Sequence, residues 1–166
     1  MLDKKKYKES TIITHAGQES FEHFGFVNTP VYRGSTVLSE TSKKFRERSS
    51  RYFYGSKSNP NTESLSEGIR LLENAEGCRI TSSGRTAILL SLLSILRNGD
   101  QLILSDNVYG PTKEISQDLM KEFNINAKFY NPESFEDLKK KISKKTKIIL
   151  VENPGSNTFE FQDLSK

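Results

Sequence analysis

The chain has 166 residues, 34% hydrophobic and 28% charged, with 25 Lys and Arg against 21 Asp and Glu for a net charge of +4. That length suits one ordinary domain or a small two-layer structure, and 10 Phe and 6 Tyr with several Ile/Leu runs supply a core, which argues against a disordered chain. No apolar stretch reaches the roughly 18 residues that span a bilayer, and a single cysteine, Cys78, excludes an internal disulfide framework.

With only two histidines beside that cysteine, no metal site is expected. The start is basic but has no following apolar region, so a secretory signal is not expected and the reading is cytoplasmic. Lysines gather at Lys4 to Lys8 and Lys139 to Lys147. A nucleic-acid patch would interleave aromatics among them; these runs do not, and read as a chain terminus and the solvated face of a helix. No nucleic acid and no membrane is therefore expected as a partner.

In chain order, residues 1–61 show little sustained periodicity and are rich in Ser, Thr, Gly, Tyr and Phe, with a short helix around Ser42–Arg48. This segment reads as an extended arm that wraps its own chain or a partner subunit. From residue 62 the pattern becomes regular. Thr62-Glu63-Ser64 opens a helix with Leu65, Ile69 and Leu72 on one face, and Gly77 stops it. Cys78–Thr81 reads as a short strand. Arg85–Leu96 is a helix apolar nearly all round, hence expected to be buried. A strand at Gln101–Ser105 follows, then an amphipathic helix at Thr112–Phe123, a strand at Ala127–Tyr130, a helix at Phe135–Ile142 and a strand at Lys147–Glu152. This alternation predicts an α/β fold with a mainly parallel sheet and flanking helices. In such sheets ligands bind beyond the carboxyl ends of the strands. Those ends carry Ser82-Ser83-Gly84, Asp106 to Gly110 and Glu152 to Ser156, so Gly84, Arg85 and Tyr109 are expected to line one pocket with Ser156 on its far wall.

Each candidate also has a plain structural reading. Ser83-Gly84-Arg85 offers helix N-terminal amides to a phosphate, or is an ordinary capped turn. Tyr109 stacks on a planar ring, or is a half-buried loop tyrosine. Tyr54, in Tyr52-Phe53-Tyr54-Gly55-Ser56-Lys57, donates a hydroxyl toward a phosphate, or packs the arm. Tyr52 and Tyr54 point to opposite sides if the run is extended. Glu152 is read as a carboxylate that hydrogen-bonds loop backbone, and His15 as structural, with no Ser or Cys placed to partner it.

Taken in order, these pieces resemble the Cys/Met-metabolism family of pyridoxal-phosphate enzymes. The resemblance rests on Thr14–Gly17, Pro30–Thr36, Tyr54-Gly55, Asn59-Pro60, Leu72-Glu73, Ser83–Ala87, Asn98–Asp100, Tyr109–Thr112 and Glu152–Ser156. Within the family, Tyr54-Gly55 and Glu152–Ser156 resemble the cystathionine β-lyase branch, while the γ-synthase, γ-lyase and sulfhydrylase branches share most of these motifs.

The resemblance implies the first part of the fold-type I, aspartate aminotransferase-like cofactor domain and pyridoxal 5'-phosphate as cofactor. It also implies a small sulfur amino-acid substrate and a homodimer or homotetramer. It gives the backbone of Gly84 and Arg85 to the cofactor phosphate, Tyr109 to the pyridine ring and to proton transfer, and Ser156 to the 3'-hydroxyl. Tyr54 is given to the phosphate held by a neighbouring subunit. Ser56 stands where the family has a phosphate-binding arginine, with Lys57 next to it, and a lysine binds phosphate as a point charge rather than a fork. The family's cofactor-bearing lysine, pyridine-binding aspartate and carboxylate-binding arginine lie beyond residue 166, so the chain is expected to be the N-terminal part of a longer enzyme, the alternative being a non-catalytic protein of the same ancestry that binds a phosphate ligand or a partner.

Overall fold

The computed structural model describes residues 6–165; the basic opening residues 1–5, including Lys4 and Lys5, lie outside them. The chain divides into two compact units, Met1–Ile80 and Thr81–Lys166.

The first unit holds α1 (Glu9–His15), a 3₁₀ turn (Ser20–His23), α2 (Ser42–Glu47) and α3 (Pro60–Leu72). Its last helix starts earlier than Thr62 because Asn59 caps it. The Asn59 side chain accepts from the backbone of Asn61 and Thr62 while Thr62 Oγ1 accepts from the Asn59 amide, and Pro60 takes the first turn, where no amide is needed. The helix ends at Leu72, before Gly77: Asn74 turns left-handed with φ 51°, and the Ala75 amide donates back to the Arg70 carbonyl.

This helix belongs to the first unit, which runs to Ile80. α1 packs on α3. The contact explains Gly17, which has φ +72° and where a Cβ would lie 2.1 Å from the Ser64 carbonyl oxygen. Asn61 ties the 30–32 stretch to α3, donating to the Pro30 carbonyl at 2.7 Å and accepting from the Tyr32 amide at 2.8 Å. Phe21, Phe24 and Leu38 remain at least 90% exposed.

The second unit is α4 (Gly84–Ile95), β1 (Gln101–Ser105), α5 (Gly110–Glu114), a π turn (Ile115–Leu119), α6 (Met120–Glu122), β2 (Asn126–Tyr130), α7 (Phe135–Lys141) and β3 (Thr146–Leu150). The strands are all parallel, in the order β2-β1-β3. Leu102 pairs with Ala127 on one side and Ile148 on the other. Every residue of β1 is buried, as a central strand requires. Leu102 and Leu104 face a cluster with Leu92, Leu96, Val108, Ile115, Met120 and Ile125, while Ile103 faces the opposite side by period-two alternation. Ile115 and Met120 are five apart and both buried, a spacing that an i→i+5 turn brings onto one side.

Two expectations are corrected. Cys78–Thr81 forms no strand and joins neither ladder of the sheet. Nor is α4 buried all round. Leu92 and Leu96 enter the core and Ile88, Leu89 and Leu93 pack against it, but Leu90 and Ile95 are more than half exposed. Only one flank of α4 packs on the sheet.

Candidate cofactor-binding site

The carboxyl end of β1 leads directly into Tyr109. Ser105 is fully buried, the Asp106 amide continues the ladder to the Tyr130 carbonyl at 2.8 Å, and Tyr109 is the residue before α5. Its ring is half exposed. Its carbonyl accepts from the amides of Thr112 and Lys113, and its amide donates to Glu152 Oε2 at 2.9 Å. Glu152 therefore works as an acceptor for loop backbone.

The segment after β3 is laced to the same loop. The Glu152 amide donates to Ser105 Oγ at 3.3 Å, and the Ser156 amide donates to the Asn107 carbonyl at 2.9 Å. Ser156 lines a cavity of about 390 Å3 with Asp106, Asn107, Gly110, Lys113 and Glu133. Inside that rim Lys113 pairs with Asp106 at 2.8 Å and lies 5.9 Å from the Phe129 ring centroid.

Gly84 and Arg85 open α4. Ser83 caps it, accepting from the Thr86 amide at 3.1 Å, and the first intrahelical carbonyl is also that of Ser83. The amides of Gly84 and Arg85 precede the helical ladder and face out of its positive end. No acidic residue stands in the first turn, and a Cβ at Gly84 would meet no atom within 4 Å. Open space before two amides that donate to no described residue, at the end of a 12-residue helix, fits a phosphate. The Arg85 side chain reaches Glu114 at 3.5 Å, tying α4 to the helix that Tyr109 opens. The cavity that Ser156 lines takes in Gly110 but neither Gly84, Arg85 nor Tyr109. Gly84 also follows a segment outside the sheet rather than a strand end.

Tyr54 lies in the first unit, 45% exposed, bridged antiparallel to Thr36. Gly55 makes that bridge feasible: its amide donates to the Ser35 carbonyl at 2.7 Å, and a Cβ there would lie 1.9 Å from the Gly34 carbonyl oxygen. Ser56 and Lys57 are exposed, and the Lys57 amide donates to the Tyr54 carbonyl. Tyr52 is half buried and hydrogen-bonded to Glu63.

Sequence patterns did not reveal the charge cluster beside Tyr52. Arg51 pairs with Glu19 at 3.0 Å, Glu63 at 3.1 Å and Glu22. The hydrogen bond from Arg51 lowers the Glu19 carboxyl, and burial followed by the Glu63 bond raises the Tyr52 phenol. These acids are spread from residue 19 to residue 63, so only folding brings them to one guanidinium. His15 is exposed at the end of α1, whereas His23 is buried with Nδ1 3.0 Å from the Tyr32 hydroxyl.

The parallel α/β unit has the fold of the fold-type I pyridoxal-phosphate enzymes among solved structures. The chain matches the family described as Cys/Met metabolism PLP-dependent enzyme over residues 10–166, and it belongs to that family. The family's cofactor is pyridoxal phosphate.

A putative cystathionine beta-lyase of Rhizobium johnstonii is 35% identical over 93% of this chain and 39% of its own length. A putative cystathionine beta-lyase of Saccharomyces cerevisiae is 32% identical over 99% of this chain and 49% of its own. The crystal structure of metB from Corynebacterium glutamicum superposes with a TM-score of 0.88 at 28% identity, covering 98% of this chain and 41% of that one. The chain thus spans about two fifths to half of the length of these relatives. Among the described residues, no helix is long and apolar enough to cross a membrane.

Proposed function

We propose that this chain is the N-terminal part of a carbon–sulfur lyase that performs β-elimination on cystathionine, releasing homocysteine, pyruvate and ammonia in methionine biosynthesis. The observation that carries this reading is the pair of outward amides at Gly84 and Arg85, joined through the Arg85–Glu114 contact to the helix that Tyr109 opens. Two relatives named putative cystathionine beta-lyase support the β-branch.

The amides of Gly84 and Arg85 bind the cofactor phosphate, and the helix end favours its negative charge. Tyr109 would stack on the pyridine ring, with its hydroxyl offered to the substrate for proton transfer. Ser156 would lie on the side of the ring's 3'-hydroxyl. Tyr54, with Lys57 in place of the arginine missing at Ser56, serves the phosphate of a neighbouring subunit in a homodimer or homotetramer. When bound, the cofactor acts as the electron sink for charge developing on the substrate α-carbon. The amine that carries the cofactor and the carboxylate that faces its ring nitrogen belong to sequence beyond residue 166, so the chain alone does not sustain turnover.

The test is to titrate the purified chain with pyridoxal phosphate, following tyrosine fluorescence, and to measure pyruvate release from cystathionine. Saturable quenching that Tyr109→Ala weakens, without pyruvate above free cofactor, is the expected result. Absence of binding overturns the site, and sustained pyruvate overturns the division of roles.

A further inference from the structure

We propose that Glu152 is the positioning residue for Tyr109: its carboxylate holds the backbone from which the Tyr109 ring projects. The inference rests on the functional reading of Tyr109 given above and deepens it.

Three observations combine. The carboxylate of Glu152 accepts from the Tyr109 amide at 2.9 Å across 43 positions of sequence, so two loops on different strands meet at this bond. Glu152 is itself anchored: its amide donates to the fully buried Ser105 Oγ, and its carbonyl accepts from Gln162 Nε2 at 3.3 Å. Among the described residues no side chain caps α5, and the Tyr109 ring is 51% exposed and so is not held by burial. The Tyr109 carbonyl is held by Thr112 and Lys113 of its own helix, and its amide by Glu152.

A bond from an ionised carboxylate to a backbone amide is stronger than a neutral one. It clamps the peptide plane before the residue and sets the direction of the Cα–Cβ bond. Glu152 acts through Tyr109 and is not itself assigned a contact with substrate.

The experiment measures hydrogen exchange of the Tyr109 amide by NMR in the full chain, with and without pyridoxal phosphate, for the parent and for Glu152→Ala, Glu152→Asp and Glu152→Gln. Loss of the charge-assisted bond should accelerate exchange roughly tenfold in Glu152→Ala. Glu152→Asp, one methylene shorter, should do the same and serves if the alanine variant does not fold. Glu152→Gln, which keeps an acceptor oxygen at the same reach but loses the charge, should restore most of the protection, with exchange between that of the parent and that of the alanine variant. Cofactor affinity should follow the same order, weakened severalfold in the alanine and aspartate variants and recovered in the glutamine variant, which a merely structural role would not produce.

Parent-like exchange in both Glu152→Ala and Glu152→Asp overturns the proposal, as does faster exchange with unchanged cofactor affinity when Tyr109→Ala weakens it. Failure of the functional reading is distinguishable. The parent chain then shows no quenching by cofactor, or Tyr109→Ala quenches equally, while the exchange pattern across the Glu152 variants persists.

Discussion

Replacing Gly55 by Ala tests whether the Tyr54 bridge is set by space rather than by side-chain preference. A Cβ at this position would lie 1.9 Å from the Gly34 carbonyl oxygen, 2.9 Å from its carbon and 3.3 Å from the Ser35 Cα. Ordinary carbon–oxygen contact is about 3.2 Å, so the Gly34 carbonyl must retreat by about 1.3 Å. The obstacle is backbone, and that backbone is held by the Gly55 amide on the Ser35 carbonyl and by the Thr36–Tyr54 bridge. Overpacking against a fixed backbone costs about 1–3 kcal/mol. For a chain of this length that lowers the melting temperature by about 2–12 °C. Circular dichroism melts and urea midpoints measure the loss. Gly77→Ala, where a Cβ meets nothing within 4 Å, is the control and should shift stability by less than about 0.5 kcal/mol. Equal stability of Gly55→Ala and Gly77→Ala would refute the steric argument and with it the account of how Tyr54 is presented.

Leu104→Ala, at a fully buried position of the central strand, should cost about 3 kcal/mol, whereas Leu90→Ala on the exposed flank of α4 should cost less than about 1 kcal/mol in the same urea series. Ser83→Ala removes the cap of α4 and should cost about 1 kcal/mol, read from thermal melts. Arg51→Met should flatten the acid limb of the stability curve. The Glu19 carboxyl is lowered chiefly by its bond to Arg51, so its contribution is present above the ordinary carboxylate range and is lost as the pH falls through the lowered value. The parent should therefore lose urea stability more steeply than the variant between about pH 5 and pH 3. At neutral pH these solvent-exposed pairs should be worth less than about 1 kcal/mol each.

Local chemistry made much of the second unit legible. Gln101–Ser105 reads as a strand because a short apolar run is bounded by Asp100 and Asp106, and it forms one at those residues. Phe135–Lys141 follows a serine cap and a basic last turn, both local signals. The parallel sheet followed from the alternation of these elements, and the motif order pointed to the family.

Tertiary structure decided what local pattern leaves open. Cys78–Thr81 has strand-like composition but joins no ladder among the described residues, and a strand is defined by its partner. α4 is apolar all round, yet which flank is covered depends on what packs there, and periodicity carries no such signal when every position is apolar. The Arg51 cluster and the Glu152–Tyr109 bond join residues tens of positions apart. Sequence shows that a carboxylate is available; only the fold says which amide it reaches, because hydrogen bonds act over about 3 Å of space and not along the chain.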